Sequence, residues 1–248
     1  MKKRFGFTLA EVLITLGIIG VVAAMTIPTL IANTNSAKFR SQYKKSLSTL
    51  NQAGLMAEAQ YDFNYGAVNK ACGAEDPAKD NANDGTKSIC AVLNGTLTGQ
   101  TVSTTKPYVE NPTFSSIGSK TVGTLTNVVY YTLADGSLVV MPKAAPATGQ
   151  ECVLEIGSVM NNAWIASHPT CLGFIDVNGK TLPNKEVTCS KDASGNALTS
   201  PKATLNPDQA CTVPNDSAHM TDIFPVVFHD ATVEPATDAA KAVLATAK

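Results

Sequence analysis

The sequence lacks the patterns that identify most enzymes. Its 248 residues contain no glycine-rich phosphate loop and no Gly-x-Ser-x-Gly nucleophile elbow. The three histidines, His168, His219 and His229, lie apart from one another and from any serine or cysteine in a known nucleophile motif. We therefore predict that the chain is not an enzyme and needs no cofactor for catalysis.

The sequence also lacks an excess of charge of either sign. It has 19 basic and 20 acidic residues, so its net charge of -1 points to no nucleic acid or other highly charged partner. A small basic cluster is present at Lys38, Arg40, Lys44 and Lys45. Four basic residues without basic, aromatic-rich surface elsewhere are too few for nucleic-acid recognition, and we expect a solvated or intersubunit face.

Closely spaced cysteine pairs, which zinc sites use, are absent as well. The chain has six cysteines, and all of them follow a long apolar segment near the N-terminus. This distribution is typical of disulfides formed in an oxidising compartment. Six cysteines allow many pairings, and we expect sequential neighbours to pair: Cys72 with Cys90, Cys152 with Cys171, and Cys189 with Cys211.

The apolar segment is the longest stretch without charge, since no charged residue lies between Glu11 and Lys38. It is long enough for a membrane-spanning helix, which needs about 20 residues. Lys2, Lys3 and Arg4 precede it and predict a cytoplasmic N-terminus. Glu11 is unusual, because a carboxylate in such a segment costs roughly 2.5–3.5 kcal/mol on insertion scales and needs a partner.

Residues 6–11 read Gly-Phe-Thr-Leu-Ala-Glu, and this segment resembles the processing site of type IV prepilins and type II secretion pseudopilins. The basic leader, Gly6, Phe7, Glu11 and Pro28 each stand where that family has them. The resemblance implies that a membrane peptidase cuts after Gly6 and methylates Phe7. It also implies that Glu11 pairs with the N-terminal amine of an adjacent subunit and sets the register of assembly. On this interpretation its charge is tolerable only when another subunit provides the opposite charge.

The pattern after the membrane segment predicts an α+β fold. Apolar residues at spacings of three to five continue to about Tyr61, which predicts one long helix over residues 7–61. Its first part, 7–33, spans the membrane and later forms a filament core, and Pro28 introduces a kink. Its amphipathic part, 34–61, packs on a small antiparallel sheet whose loops are pinned by disulfides. As in the filaments that the resemblance implies, the glycines before Pro28 permit partial unwinding.

The remaining chain divides by composition. Residues 62–123 are rich in Gly, Asn, Ser and Thr, and we predict a loop-rich variable region with little regular structure. Residues 124–235 form the sheet, with hairpin turns at Asp135-Gly136 and Asn178-Gly179. Pro225 suggests that the last strand lies at an edge or carries a bulge. Residues 236–248 form an alanine-rich tail, either a short frayed helix or a disordered end.

Calcium is the metal that the sequence leaves open. The second half of the chain looks like the C-terminal sheet of pseudopilin-like proteins, some of which hold calcium in a loop. Asp176 and Asn178 are candidate ligands, because calcium prefers oxygen donors. A hairpin turn alone explains the same residues, and no glutamate stands at the spacing of a bidentate ligand. We therefore expect no metal, with calcium as the alternative.

Three functions are compatible with these features. The first is a pilin that polymerises through its N-terminal helix into a type IV pilus-like filament, alone or with other pilins. The second is a pseudopilin of a type II secretion or DNA-uptake machine. Both imply a bacterial inner-membrane protein with an external head, and both imply a prepilin peptidase, membrane lipid and an assembly platform as partners. The third is a sensory or adhesive ectodomain on an uncleaved signal anchor.

Overall fold

One long helix carries a sheet and two short helices on its second half. The computed structural model describes residues 8–73, 76–108, 128–145, 151–152, 169–192, 194–197 and 211–245. The long helix, α1, runs over Leu9–Tyr61, close to the predicted 7–61. It starts at the N-cap residue Thr8 and ends where Asp62 adopts a left-handed conformation and donates its N–H to Glu58.

The helix α1 stays α-helical through Pro28. No unwound turn separates Gly17, Gly20 and Pro28 in this structure, although the sequence permits one. A proline removes one backbone donor, but the apolar helix around it keeps its other hydrogen bonds. The unwinding that the resemblance implies is therefore not a property of the single chain.

Only the second half of α1 packs on the head. Its buried residues begin at Ser36 and recur at spacings of three or four, which places them on one face of the helix. These are Ser36, Phe39, Tyr43, Ser46, Leu47, Leu50, Ala53, Gly54 and Ala57. The ring of Tyr43 stacks on Phe224 of the sheet with 4.1 Å between ring centroids. The predicted amphipathic half of the helix thus forms the centre of the core.

The sheet has seven strands, which extend over Thr101–Ser103 (β1), Val128–Thr132 (β2), Leu138–Pro142 (β3), Glu151–Cys152 (β4), Thr170–Asp176 (β5), Ile223–His229 (β6) and Thr232–Pro235 (β7). Six of them pair in the order β1-β2-β3-β5-β6-β7, and all these pairs are antiparallel. The short β4 pairs parallel to β5. The α+β prediction, with an antiparallel sheet against the helix, is confirmed.

The two predicted turns differ in outcome. Asp135-Gly136 connects β2 to β3 as a hairpin, with Thr132 opposite Leu138. Asn178-Gly179 follows β5, but it does not form a hairpin, because the next strand along the chain, β6, begins only at Ile223. The residues between β5 and β6 form a loop instead. Two of its backbone N–H groups, those of Asn184 and Lys185, donate to the carboxylate of Asp222.

The expectation that Pro225 marks a sheet edge is wrong. Its strand, β6, lies between β5 and β7 and is buried along its whole length. Pro225 stands where β7 ends, and its carbonyl accepts the Ala236 N–H at 2.9 Å. In an antiparallel ladder the N–H and C=O of one residue point to the same side. The missing donor of Pro225 therefore faces the end of β7, and the β5 pairing keeps all its bonds.

The region 62–123 contains more structure than predicted. A buried helix, α2, extends over Ile89–Thr96, and three single 3-10 turns precede it. At the other end of the chain, α3 covers Asp238–Ala245 and buries Ala239, Ala240 and Val243 completely. Residues 238–245 therefore form a packed helix rather than a frayed one, because the small alanines allow close contact with the core.

Three disulfides staple the head, and they have the expected sequential pairing. They join Cys72 to Cys90, Cys152 to Cys171, and Cys189 to Cys211. The first ties the loop after α1 to α2, the second links β4 to β5, and the third closes the loop before β6. The first two therefore fasten segments of weak regular structure to α2 and to the sheet, and the third joins two points of one loop.

Candidate processing and assembly site

Thr8 and Glu11 close the first turn of α1 as a capping box. The Thr8 backbone N–H and the Thr8 hydroxyl both donate to Glu11 Oε2 at 2.8 Å. In return, the Glu11 N–H donates to Thr8 Oγ1 at 3.3 Å. Such reciprocal bonds satisfy donors that every helix start leaves open. The sequence pattern Thr-x-x-Glu carries this signal, but the interpretation of Glu11 from sequence did not use it.

The capping box changes the expectation about Glu11. The sequence predicted that only another subunit could satisfy this carboxylate, whereas the chain itself supplies two hydrogen bonds. Hydrogen bonds do not neutralise the charge, and no basic side chain within the described ranges forms an ion pair with Glu11. The carboxylate is thus oriented by its own helix while its charge stays available to a cation. Gly6 and Phe7 lie outside the described residues, and their roles stay predictions.

The first half of α1 presents an apolar surface that the head does not cover. Its large side chains between Leu9 and Ile31 are 43–80% exposed. The helix is the one in the described part of the chain that is long and apolar enough to cross a membrane. Exposed apolar surface of this extent is unfavourable in water and requires lipid or other helices around it. This half of the helix is therefore suited to lipid or to contact with other helices.

Hydroxyl groups in this half bond to the helix itself. Thr15 donates to the carbonyl of Glu11 at 2.9 Å, and Thr26 donates to Val22 at 3.0 Å. Further along, Thr34 donates to Leu30 at 2.8 Å. Back-bonding of this kind removes the cost of a bare hydroxyl in lipid. The polar atoms of the segment are thus compatible with an apolar surrounding, and Glu11 is the single charged side chain among its described residues.

A hydrogen-bonded joint connects the head to α1. Ser46 donates to Ser137 Oγ at 3.3 Å, and Ser137 in turn donates to Asp135 Oδ1 at 2.6 Å. Lys45 forms an ion pair with Asp135 Oδ2 at 3.0 Å. These groups hold the β2–β3 turn against the second half of α1. The joint therefore helps to hold the orientation of the head relative to α1.

The candidate calcium residues belong to a buried carboxylate pair. Asp176 is fully buried, and its two oxygens accept the Tyr108 hydroxyl at 3.0 Å and the Asn178 N–H at 3.2 Å. Asp222 is also fully buried, and it accepts the backbone N–H groups of Asn184 and Lys185 at 2.9 Å. Burial, and next the neighbouring Asp222 carboxylate, raise the pKa of Asp176 to about 8. Burial also raises the pKa of Asp222.

This arrangement does not fit a calcium ion as it stands. Calcium takes six to eight oxygen ligands, roughly 2.3–2.6 Å away. Each carboxylate oxygen of Asp176 and Asp222 already faces an N–H or O–H donor, whereas the side-chain oxygen Oδ1 of Asn178 has no hydrogen-bond partner. Sequence reasoning missed Asp222 and Tyr108, because neither is close to Asp176 in the chain. The prediction of no metal, with calcium at Asp176 and Asn178 as its alternative, stays untested.

One other group of candidate ligands has a structural role. Cys72, Asp80 and Cys90 lie close together, but their sulfurs form a disulfide and not the thiolates that bind metals. Asp80 Oδ2 accepts the Gly73 N–H at 2.9 Å and the Ser88 hydroxyl at 2.5 Å, which ties the loop to the start of α2.

The histidines form no common site in the described residues. His219 bonds to Asp216 at 2.9 Å, and His229 bonds to Asp230 at 3.2 Å in a different part of the head. His168 lies outside the described residues. His229 also lies 3.2 Å from the hydroxyl of Thr232, which follows it on the same hairpin. The described part of the head thus brings no two histidines together.

Comparison with known proteins identifies the N-terminal segment. Residues 1–27 match the model of the prokaryotic N-terminal methylation motif. The match covers the leader, Gly6, Phe7, Glu11 and most of the apolar half of α1. No curated protein and no solved structure matches the chain.

Proposed function

We propose that this chain is a structural subunit that polymerises into a type IV pilus-like filament. Its first 27 residues carry the prepilin-type signal of type IV pilins and pseudopilins. A prepilin peptidase cuts after Gly6 and methylates Phe7. Before assembly the apolar half of α1 lies in the bacterial inner membrane, with the N-terminus in the cytoplasm and the head outside. An assembly platform in that membrane then moves the subunit into the filament.

The observation that carries this proposal is the bare half of α1. Its large apolar side chains make no core with the head, so they need the same surrounding in every state of the protein. Lipid supplies it before assembly, and the equivalent helices of other subunits supply it in a filament. Because these helices pack side by side, each Glu11 can meet the new N-terminal amine of a neighbour.

Electron microscopy of cells that express the chain together with a prepilin peptidase and an assembly platform tests the proposal. Filaments labelled by an antibody against the head are the expected result. Gly6→Val should prevent cleavage, keep the chain in the membrane and abolish the filaments. Equal filament numbers with Gly6→Val would contradict the proposal.

The same strain separates a pilus from a pseudopilus. Abundant filaments shed into the medium indicate a surface pilin. A short structure in the periplasm, together with loss of protein export on deletion of the gene, indicates a pseudopilin of a secretion machine.

A further inference from the structure

A groove lies at the base of the head, where the apolar half of α1 ends. Ala32, Ser36 and Phe39 of α1 form one wall, and Leu182 and Met220 form the other. Its volume is about 300 Å³. The helix residues that precede the groove, up to Ile31, make no core contact with the head.

Leu182 makes this groove unusual. Its side chain is 60% exposed, and within the described ranges it is the one exposed large apolar residue outside α1. The loop that carries it is fixed at several points. Asn178 Nδ2 donates to the Leu182 carbonyl at 3.3 Å, and the Asn184 N–H donates to the buried Asp222. A leucine held out on a fixed loop costs free energy unless something apolar covers it.

The position of the groove along α1 indicates what covers it. The apolar half from Leu9 to Ile31 extends about 34 Å at about 1.5 Å per residue, against about 30 Å for the hydrocarbon core of a bilayer. Ala32 and Ser36 therefore lie at the level of the lipid headgroups when this half spans the membrane. Leu182 lines the same groove and lies at that level too.

The charges near the groove have the sign that phospholipids attract. Lys38, Lys180 and Lys185 are exposed, and none of them forms an ion pair with a described carboxylate. Two accessible acidic residues also lie near the base of the head, where Asp135 is paired with Lys45 and Asp216 with His219. The carboxylates of Asp176, Asp222 and Glu186 are buried. Exposed lysines beside an apolar side chain are typical of surfaces that rest on anionic lipid.

We propose that the base of the head docks on the outer surface of the membrane before assembly, with Leu182 inserted among the headgroups. The inference rests on the membrane orientation of the proposed function. A second copy of the chain is the other candidate occupant. The groove is lined by eight residues, which is few for that role, since each side of a stable protein interface has roughly 20–30 residues. Docking would hold α1 upright and keep the head clear of neighbours until extraction.

The experiment uses the full chain in vesicles of phosphatidylethanolamine and phosphatidylglycerol at a low protein-to-lipid ratio. All six native cysteines are in disulfides, so one introduced cysteine is the only thiol that a fluorophore can label. Leu182→Cys reports on the proposed contact. Gln60→Cys is the matched control, because Gln60 is exposed on α1 about 42 Å beyond Ala32. Leu16→Cys reports whether the apolar half lies in the membrane.

Lipids with a nitroxide on the headgroup should quench the label at residue 182 and leave the label at residue 60 unquenched. Thr181→Cys, beside Leu182 and also exposed, should repeat the quenching if the first substitution disturbs the loop. Lipids with the nitroxide deep in the acyl chain should quench the label at residue 16.

Quenching at residue 16 together with none at residues 181 and 182 would overturn this inference and leave the proposed function intact. Absence of quenching at residue 16 would overturn the membrane orientation itself, and both proposals with it. Shielding of residue 182 that grows with protein concentration, without quenching by lipid, would assign the groove to a second copy and refute lipid docking.

Discussion

Glu11 has two roles, a hydrogen-bonded helix cap and an unneutralised charge, and the sequence alone does not distinguish them. Its oxygen caps the first turn of its own helix through Thr8, and its charge has no counterion among the described residues. The cap orients the carboxylate before assembly, so no subunit has to order it at the moment of contact. The charge is what a neighbouring N-terminal amine would neutralise. Substitutions can remove one interaction at a time.

Glu11→Ala should leave the protein in the membrane but abolish filaments, because it removes both the cap and the charge. Glu11→Gln keeps an oxygen that accepts the Thr8 N–H and removes only the charge, so it should abolish filaments equally. Thr8→Ala keeps the charge and costs about 1 kcal/mol of helix stability, so filaments should persist. Counting filaments by electron microscopy measures all three. Normal filament yield from Glu11→Ala would eliminate the register role.

The pair Asp176 and Asp222 should make the stability of the head fall as the pH rises towards 8. The pKa of Asp176 in the folded protein is about 8, above its ordinary value of 3.8. The folded state therefore retains a proton that the unfolded state has released, and stability falls as the pH rises between these values. Each unit of difference is worth about 1.4 kcal/mol. Denaturant unfolding of the full chain in detergent should show this fall between pH 5 and 8.

Asp176→Asn should flatten that dependence, because the amide resembles the protonated acid in shape and cannot ionise. Asp192→Asn is the control. Hydrogen bonds from Asn196 lower the pKa of this exposed carboxylate, so its loss should leave the fall in stability between pH 5 and 8 in place. A wild-type protein whose unfolding free energy is constant from pH 5 to 8 would contradict the buried-pair assignment.

Among the elements, the long helix and the first hairpin were predictable and the short buried helix was not. Leu9–Tyr61 follows from an unbroken apolar run and a three-to-four spacing, both of which are local. The β2–β3 turn follows from Asp135-Gly136. Helix α2 is short, and polar, Gly- and Asn-rich segments surround it. Its stability comes from burial against α1, which local patterns do not encode.

The same distinction applies to the sites. Glu11 was identified because a charge in an apolar run is conspicuous in one sequence. Asp176 was identified for calcium, but its real neighbours, Tyr108 and Asp222, come from distant parts of the chain. Sheet pairing brings them together, since Asp176 stands opposite Ile223 in the β5–β6 register. Only the tertiary structure reveals that the carboxylates are saturated with donors.

Gly54 lies at a close contact between α1 and the β6–β7 hairpin, and its substitution tests that packing. A Cβ atom at Gly54 would lie 2.8 Å from the Tyr65 ring and even closer to the Ala231 carbonyl. Gly54→Ala should therefore lower the unfolding free energy of the head by about 1–3 kcal/mol, despite the better helix propensity of alanine. Gly20→Ala, with nothing within 4 Å of its Cβ, should leave head stability unchanged. Equal stability of both variants would show that this contact is loose.

In the whole molecule, the two halves of α1 have different surroundings. From Ser36 onward it forms the centre of a disulfide-stapled head, and before Ala32 it is bare. The loops of the head can therefore differ without changing the bare half of α1. The hydrogen bonds among Ser46, Ser137 and Asp135 help to hold the head in its orientation on α1.

The intact mass of the chain purified from membranes or filaments tests the central claim most directly. A processed subunit should lack residues 1–6 and carry one added methyl group on Phe7, because cleavage after Gly6 creates the N-terminus that assembly uses. A chain that retains residues 1–6 would contradict the claim and leave a membrane-anchored ectodomain with an uncleaved signal anchor.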